Sequence, residues 1–173
     1  GSKFTAASVE ALAVVVFKDD KATDGILKEL DALTGGQVAD TIKAKEINGG
    51  QGETALIRFS AKGVKATRLL LVGCGERDKY KASSVAIASG TAARTLRKLN
   101  LKSFAFDARI DGDAAEIAQN AVQGVITSQF ELDKYKTKDK NTKAVSKFVV
   151  HVDGGTPADL KKGLERGQII GDS

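Results

Sequence analysis

The chain contains one cysteine, one histidine, one proline, and neither methionine nor tryptophan. Each scarcity excludes something. Cys74 alone cannot form an internal disulfide, so a disulfide-stapled secreted scaffold is ruled out. His151 alone cannot supply the paired imidazoles of the common zinc sites. The longest apolar run, Ala11 to Phe17, is far too short to span a bilayer. No segment has the charged-then-apolar layout of a signal peptide. Disorder is not expected either, because 42% of the residues are hydrophobic and 28% charged, as in ordinary globular domains. At 173 residues the chain can bury roughly 70% of the surface its unfolded form exposes, which needs no covalent staple.

The chain opens Gly1-Ser2 without an initiator methionine, the pair that a cleaved purification tag leaves behind. Residues 1–2 are therefore set aside as a tag remnant. Residues 3–173 are read as a single domain, since no shift in composition divides them. A piece of a longer protein is expected.

The net charge of +5 is mild. Much of it falls between Asp133 and Lys147, where Lys134, Lys136, Lys138, Lys140, Lys143 and Lys147 outnumber Asp133 and Asp139. With only Tyr135 as an aromatic, this stretch reads as a solvated loop rather than a single-strand nucleic-acid platform, which stacks bases on several rings.

Strands and helices alternate along the chain. Residues 10–17 are short, apolar and β-branched, which predicts a buried strand. Asp19-Asp20 end it. Thr23 is a candidate N-cap for a helix whose stripe is Ile26, Leu30 and Leu33, and Gly35-Gly36 close that helix. Asn48 to Gly52 form a glycine-rich turn. Further strands are predicted at 54–59 and 67–72, the latter buried on both faces and followed by Gly73-Cys74-Gly75.

A long helix is predicted from Ser83 or Ser84 to Asn100, with Val85, Ala88, Ser89, Ala92, Leu96 and Leu99 as its stripe. Arg94, Arg97 and Lys98 complement its C-terminal dipole. After a strand at 102–107, Asp113 and Glu116 give a capping-box-like start to a helix carrying Ile117, Ala118, Ala121, Val122, Val125 and Ile126. A strand at 146–152 follows. A last helix starts at Thr156-Pro157 and carries Leu160, Leu164 and Ile169. Gly163, Gly167 and Gly171 on one of its faces predict close packing there. The pattern is α/β, with helices on both faces of a parallel or mixed sheet.

Few residues carry chemistry. His151 at a strand end reads as an ordinary histidine, since no G-x-S-x-G elbow is present. Cys74 lies at a strand-to-helix turn but has no sequence-near histidine to make it a thiolate, so it reads as a small core residue. Gly73-x-Gly75 lacks the third glycine of a dinucleotide fingerprint and has Asp78 there instead. Tested as a calcium loop from Asp107, the Asp107-Asp111-Asp113 cluster fails at Arg109 and Ala118. No catalytic, cofactor-binding or metal-ligating residue is assigned. A small ligand of an open α/β sheet would sit at the loops after residues 72, 107 and 152.

Three segments together resemble the leucyl (cytosol) aminopeptidases. Arg68-Leu69-Leu70-Leu71-Val72-Gly73-Cys74-Gly75-Glu76, with the Ala-rich helix from Ala86 to Leu99 behind it, is similar to that family's Arg-Val-Leu-Leu-Val-Gly-Leu-Gly segment. Gly124 to Lys136 resembles its segment ending Phe-Asp-x-Tyr-Lys, with Leu132 where Phe is usual. Asp159 to Gly171 resembles the helix that leads toward the catalytic domain.

The resemblance implies a macro-domain-like three-layer sandwich, with a mixed sheet of five or six strands. It implies the non-catalytic N-terminal domain of a metallopeptidase that removes N-terminal residues, preferably leucine. Two divalent metals, zinc or manganese, belong to the absent catalytic domain. It further implies a hexameric, cytoplasmic parent, peptide substrates, no membrane, and a role for this domain in assembly, access or regulation. Two alternatives remain open. One is a nucleotide or ADP-ribose module using the loop at 73–75 and the turn at 153–155. The other is DNA binding through segment 134–147.

Overall fold

The computed structural model describes residues 4–110, 112–135 and 145–151. Five strands form one mixed sheet in the order β2-β3-β1-β4-β5, namely Thr54–Arg58, Arg68–Gly73, Ala11–Val16, Ser103–Asp107 and Lys147–His151. β1 is central because it is the most apolar strand. All six of its residues are buried, as a strand with a neighbour on each side and helices over both faces must be. It runs parallel to β3 and β4, and β4 runs parallel to β5. β2 is antiparallel to β3.

Period-two alternation divides the core between two faces. Ala11, Ala13 and Val15 of β1 pack against α3 (Ala82–Lys98) and α4 (Ala114–Tyr135). Leu12, Val14 and Val16 face α1 (Gly25–Leu33) and α2 (Gln37–Lys43), together with the N-terminal Phe4. The result is helices, sheet and helices in three layers, the macro-like sandwich that the family resemblance implies.

α3 and α4 cross very closely, because small residues line the contact. A β-carbon on Gly124 would stand 2.1 Å from the Ala86 carbonyl oxygen. The Ser89 hydroxyl donates to the Ala121 carbonyl across the same contact, 2.8 Å away.

Several expectations need correction. α1 begins at Gly25 with Asp24 at its N-cap, and no side chain caps it, so Thr23 has no such role. Its buried residues are Leu27 and Leu30, while Ile26 and Leu33 are half-buried. α2 was not anticipated, since seven residues carry too short a stripe to declare a helix. α3 starts at Ala82, slightly earlier than predicted. Leu99 is exposed, because it lies at the C-cap beyond the sheet. Arg97 and Lys98 do lie in the last turn of α3, but Arg97 does more than complement the dipole. It is buried, and its Nη2 donates to the Ser128 carbonyl at 2.8 Å, tying α3 to α4.

Asn100 does end α3, with a φ of +61°. Asp113 does cap α4, its carboxylate accepting the Ala115 and Glu116 amides at 2.9 and 3.3 Å. α4 runs on to Tyr135, so Asp133 to Tyr135 are helical rather than loop. Lys136 to Lys143, the Thr156-Pro157 helix, the Gly163, Gly167 and Gly171 face and the 153–155 turn lie outside the described residues.

Candidate functional site

β1 hands the chain to α1 on one face, whereas β3 and β4 on either side of it hand the chain to α3 and α4 on the other. That reversal opens a crevice beyond the C-terminal ends of the three strands, where open α/β sheets hold ligands. Two of the loops singled out in the sequence, after residues 72 and 107, meet here.

Asp20, read from sequence only as a strand stop, is the hub of this crevice. Its side chain is 7% exposed. Its Oδ2 accepts the Phe17 amide at 2.7 Å and the Nη1 of Arg109, while Oδ1 accepts Arg77 Nη2 at 2.8 Å. Arg109 Nη1 also donates to the Val15 carbonyl at 2.8 Å, closing over the end of β1. Both guanidiniums lie over the Phe17 ring, Arg77 at 4.5 Å and Arg109 at 5.3 Å from its centroid.

Arg109 has a φ of +50°, unusual for a side-chain-bearing residue. The Asp107 carboxylate accepts its amide at 2.9 Å and supports that turn. Tyr80 packs edge-on against Phe17, and its hydroxyl donates to the Ala108 carbonyl at 2.7 Å. Burial pushes the Tyr80 phenol up, so it stays protonated.

The glycine turn at 48–52 folds onto Gly73-Cys74-Gly75, and several of its backbone groups are satisfied internally. The Gly75 amide donates to the Gly49 carbonyl at 2.7 Å, and the Gly52 amide to the Gly73 carbonyl at 3.1 Å. A β-carbon on Gly73 would stand 2.1 Å from the Gly50 carbonyl oxygen, which is why no larger residue fits. Glu53 Oε2 accepts the Asn48 and Gly50 amides, each at 2.9 Å. These backbone bonds hold its carboxyl below the usual range. The turn thus carries its own anion. Beside it lies a cleft of about 290 Å³ between the turn and α3, edged by Lys18, Lys79, Ile87 and Thr91.

Burial pushes the Cys74 thiol up to about 12, opposed only in part by Arg109. With Sγ directed at the Val72 carbonyl 3.8 Å away, Cys74 fits the packing role expected of it rather than that of a nucleophile. His151 lies at the far edge of the sheet, its ring 6.2 Å from that of Phe4. The structure therefore brings Cys74 and the Gly73–Gly75 turn to the crevice, while His151 ends the edge strand β5 in register with Asp107 of β4. The Asp20, Arg77, Arg109 and Phe17 cluster was not anticipated. Its one sequence signal is the placement of Asp20, Arg77 and Arg109 just beyond three strand ends. Among the described residues, no three His, Cys, Asp or Glu side chains converge to hold a metal.

A macro-like α/β domain with a self-filled crevice is the class these features define. The solved structures it resembles agree. The Trypanosoma brucei macrodomain in complex with ADP superposes with a TM-score of 0.63 at 12% identity, covering 92% of this chain and 63% of that one. The bottromycin maturation enzyme BotP in complex with Mn gives 0.62 at 17%, over 95% of this chain and 30% of that one. These likenesses concern the fold alone.

Sequence comparison is more specific. The family model "Cytosol aminopeptidase family, N-terminal domain" matches residues 13–139. A probable cytosol aminopeptidase of Solibacter usitatus is 32% identical over 164 residues, 95% of this chain and 31% of that protein. One of Persephonella marina is 25% identical over 171 residues, 96% of this chain and 34% of that protein. The chain belongs to the cytosol aminopeptidase family and corresponds to its N-terminal domain. It spans about a third of the length of these relatives.

Proposed function

We propose that this chain is the non-catalytic N-terminal domain of a longer metal-dependent aminopeptidase, one that removes N-terminal residues, leucine foremost, from peptides. The observation that carries this reading is the alignment. Nearly the whole chain matches, yet it accounts for only about a third of each relative. The hydrolytic machinery belongs to the remaining two thirds. Among the described residues no donor set fits the two divalent ions expected there. Asp20 is engaged by two arginines and an amide, and Asp107 turns its carboxylate to the Arg109 amide. No catalytic step is derived through this chain. Its role is to shape assembly of the enzyme or access to its active site, within a cytoplasmic homo-oligomer, for which a hexamer is the expectation.

The nucleotide reading is not adopted, since the amides of Asn48, Gly50, Gly52 and Gly75 already have internal acceptors. The DNA reading rests on the charge of segment 134–147 alone.

The test is release of p-nitroaniline from leucine p-nitroanilide with manganese or zinc added. No turnover is expected from the purified 173-residue chain, and turnover is expected once the missing two thirds of a relative is fused behind Ser173. Turnover by the chain alone would overturn the proposal.

A further inference from the structure

Among the described residues, β2 is an edge strand and no strand pairs with its outer side. The Phe59 amide donates to Thr67 and the Gly73 amide to Glu53, which makes the odd-numbered positions of β2 the ones hydrogen-bonded to β3. The amides and carbonyls of Thr54, Leu56 and Arg58 therefore point away from the sheet. Gln37 Nε2 covers one of them, the Arg58 carbonyl, at 3.1 Å. A row of unpaired backbone groups of this kind is a template for another strand.

The side chains beside that edge are also incomplete. α2 packs on β2 from one face, while α3 packs on β3 and β1 from the other. On the α3 face, Leu56 is left exposed, and the α3 residue Ile87 is 53% exposed. On the same face Arg58 stands directly opposite Arg68. This is a non-hydrogen-bonded pair, the kind that brings side chains closest. Two like charges so placed repel each other. Neither has a carboxylate partner among the described residues, and Arg68 reaches only the neighbouring Thr67 carbonyl and hydroxyl at 3.2 Å. An open edge, an uncovered leucine and an uncompensated arginine pair thus fall on one five-residue strand.

We propose that the β2 edge is a docking site for an extended, acidic peptide segment of a partner protein, which adds to the sheet as a further strand. Backbone bonds to Thr54, Leu56 and Arg58 would hold the segment. Side chains that share a face of a strand are two residues apart. The guest therefore sets an apolar residue beside Leu56 and, two positions along, a Glu or Asp beside Arg58, with Arg68 one strand further in on the same face. The arginine pair favours a carboxylate because the guanidinium fork matches its two oxygens. This inference is independent of the aminopeptidase reading.

The test is amide chemical-shift mapping on the isotope-labelled 173-residue chain. The probe is a capped Thr-Val-Thr-Glu-Thr-Glu-Thr peptide, and the control has Gln for both Glu residues. Shifts at Thr54, Leu56 and Arg58 are expected with the acidic peptide, and binding about tenfold weaker with the control, as for one lost charge-assisted contact. Arg58→Glu with Arg68→Glu should abolish binding of the acidic peptide, and an unchanged β1–β3 amide pattern would confirm that this variant folds. Three results would each overturn the proposal. The β2 amides could stay still at about millimolar peptide, the scale of weak peptide encounters. The two peptides could bind equally. The same amides could broaden with protein concentration when no peptide is present, which would assign the edge to a second copy of this chain.

Discussion

Arg109, at the turn after β4, bonds to the carboxylate of Asp20, 89 positions earlier in the chain and just past the end of β1. The contact joins the two halves of the crevice at the sheet's switch point. It also binds both residues to Phe17, through its amide on one side and its ring face on the other.

Removing Arg109 leaves a buried carboxylate short of its main partner. Arg109→Ala is expected to lower stability by about 3 kcal/mol, as for other broken buried ion pairs. Arg77 is 62% exposed, so its bond to Asp20 is screened by solvent, and Arg77→Ala should cost less than about 1 kcal/mol. Urea unfolding of the two variants checks the ranking. Equal losses would mean that Asp20 is solvated rather than enclosed.

Gly124 is where α4 touches the backbone of α3. Gly124→Ala brings a methyl group onto the Ala86 carbonyl, and backbone cannot swing aside as a side chain can. Overpacking of this sort costs about 1–3 kcal/mol, more than the gain of up to about 1 kcal/mol that alanine brings to a helix. A net fall in the thermal midpoint is expected. Gly90→Ala, whose methyl would stand 3.0 Å from the Gly124 carbonyl oxygen, should cost less.

Glu53 is ionised more readily in the fold than in the unfolded chain, because the Asn48 and Gly50 amides bond to its carboxylate. A lowered folded-state value means that its stabilising effect is complete at neutral pH. The effect begins to fall below the unfolded value of about 4.5 and is lost as pH drops through the folded one. Glu53→Gln should therefore be less stable than the parent at pH 7, and the difference should shrink toward pH 3. Urea midpoints across that range test it. A difference that grows on acidification would contradict the assignment.

Cys74 should resist thiol reagents. With its thiol pushed up to about 12, almost no thiolate exists at pH 8. Reaction with Ellman's reagent is expected to be slow in buffer and to approach the rate of a free thiol once the chain is unfolded in urea. Fast labelling of the folded chain would show that the turn opens.

The strands were the most legible elements. Ala11–Val16, and residues 69–72 within Arg68–Gly73, are apolar throughout, and only a strand covered on both faces accommodates so short a run. α4 was equally clear, since its stripe spans several turns and Asp113 caps it. α2 was not, because one buried valine and one threonine make no recognisable period. The burial of Arg97 was not legible, because charge predicts exposure. Its burial depends on the Ser128 carbonyl, which only the α3–α4 crossing brings within reach.

The sequence by itself determined the alternation of elements, the α/β class and the family, because each follows from local pattern and from the order of short motifs. Tertiary structure alone decided the rest. Sheet order set Asp20, Arg77 and Arg109 around one phenylalanine, and pairing register set Arg58 against Arg68. Contacts between residues tens of positions apart depend on which strand lies beside which, and nothing in the local period of a chain encodes that.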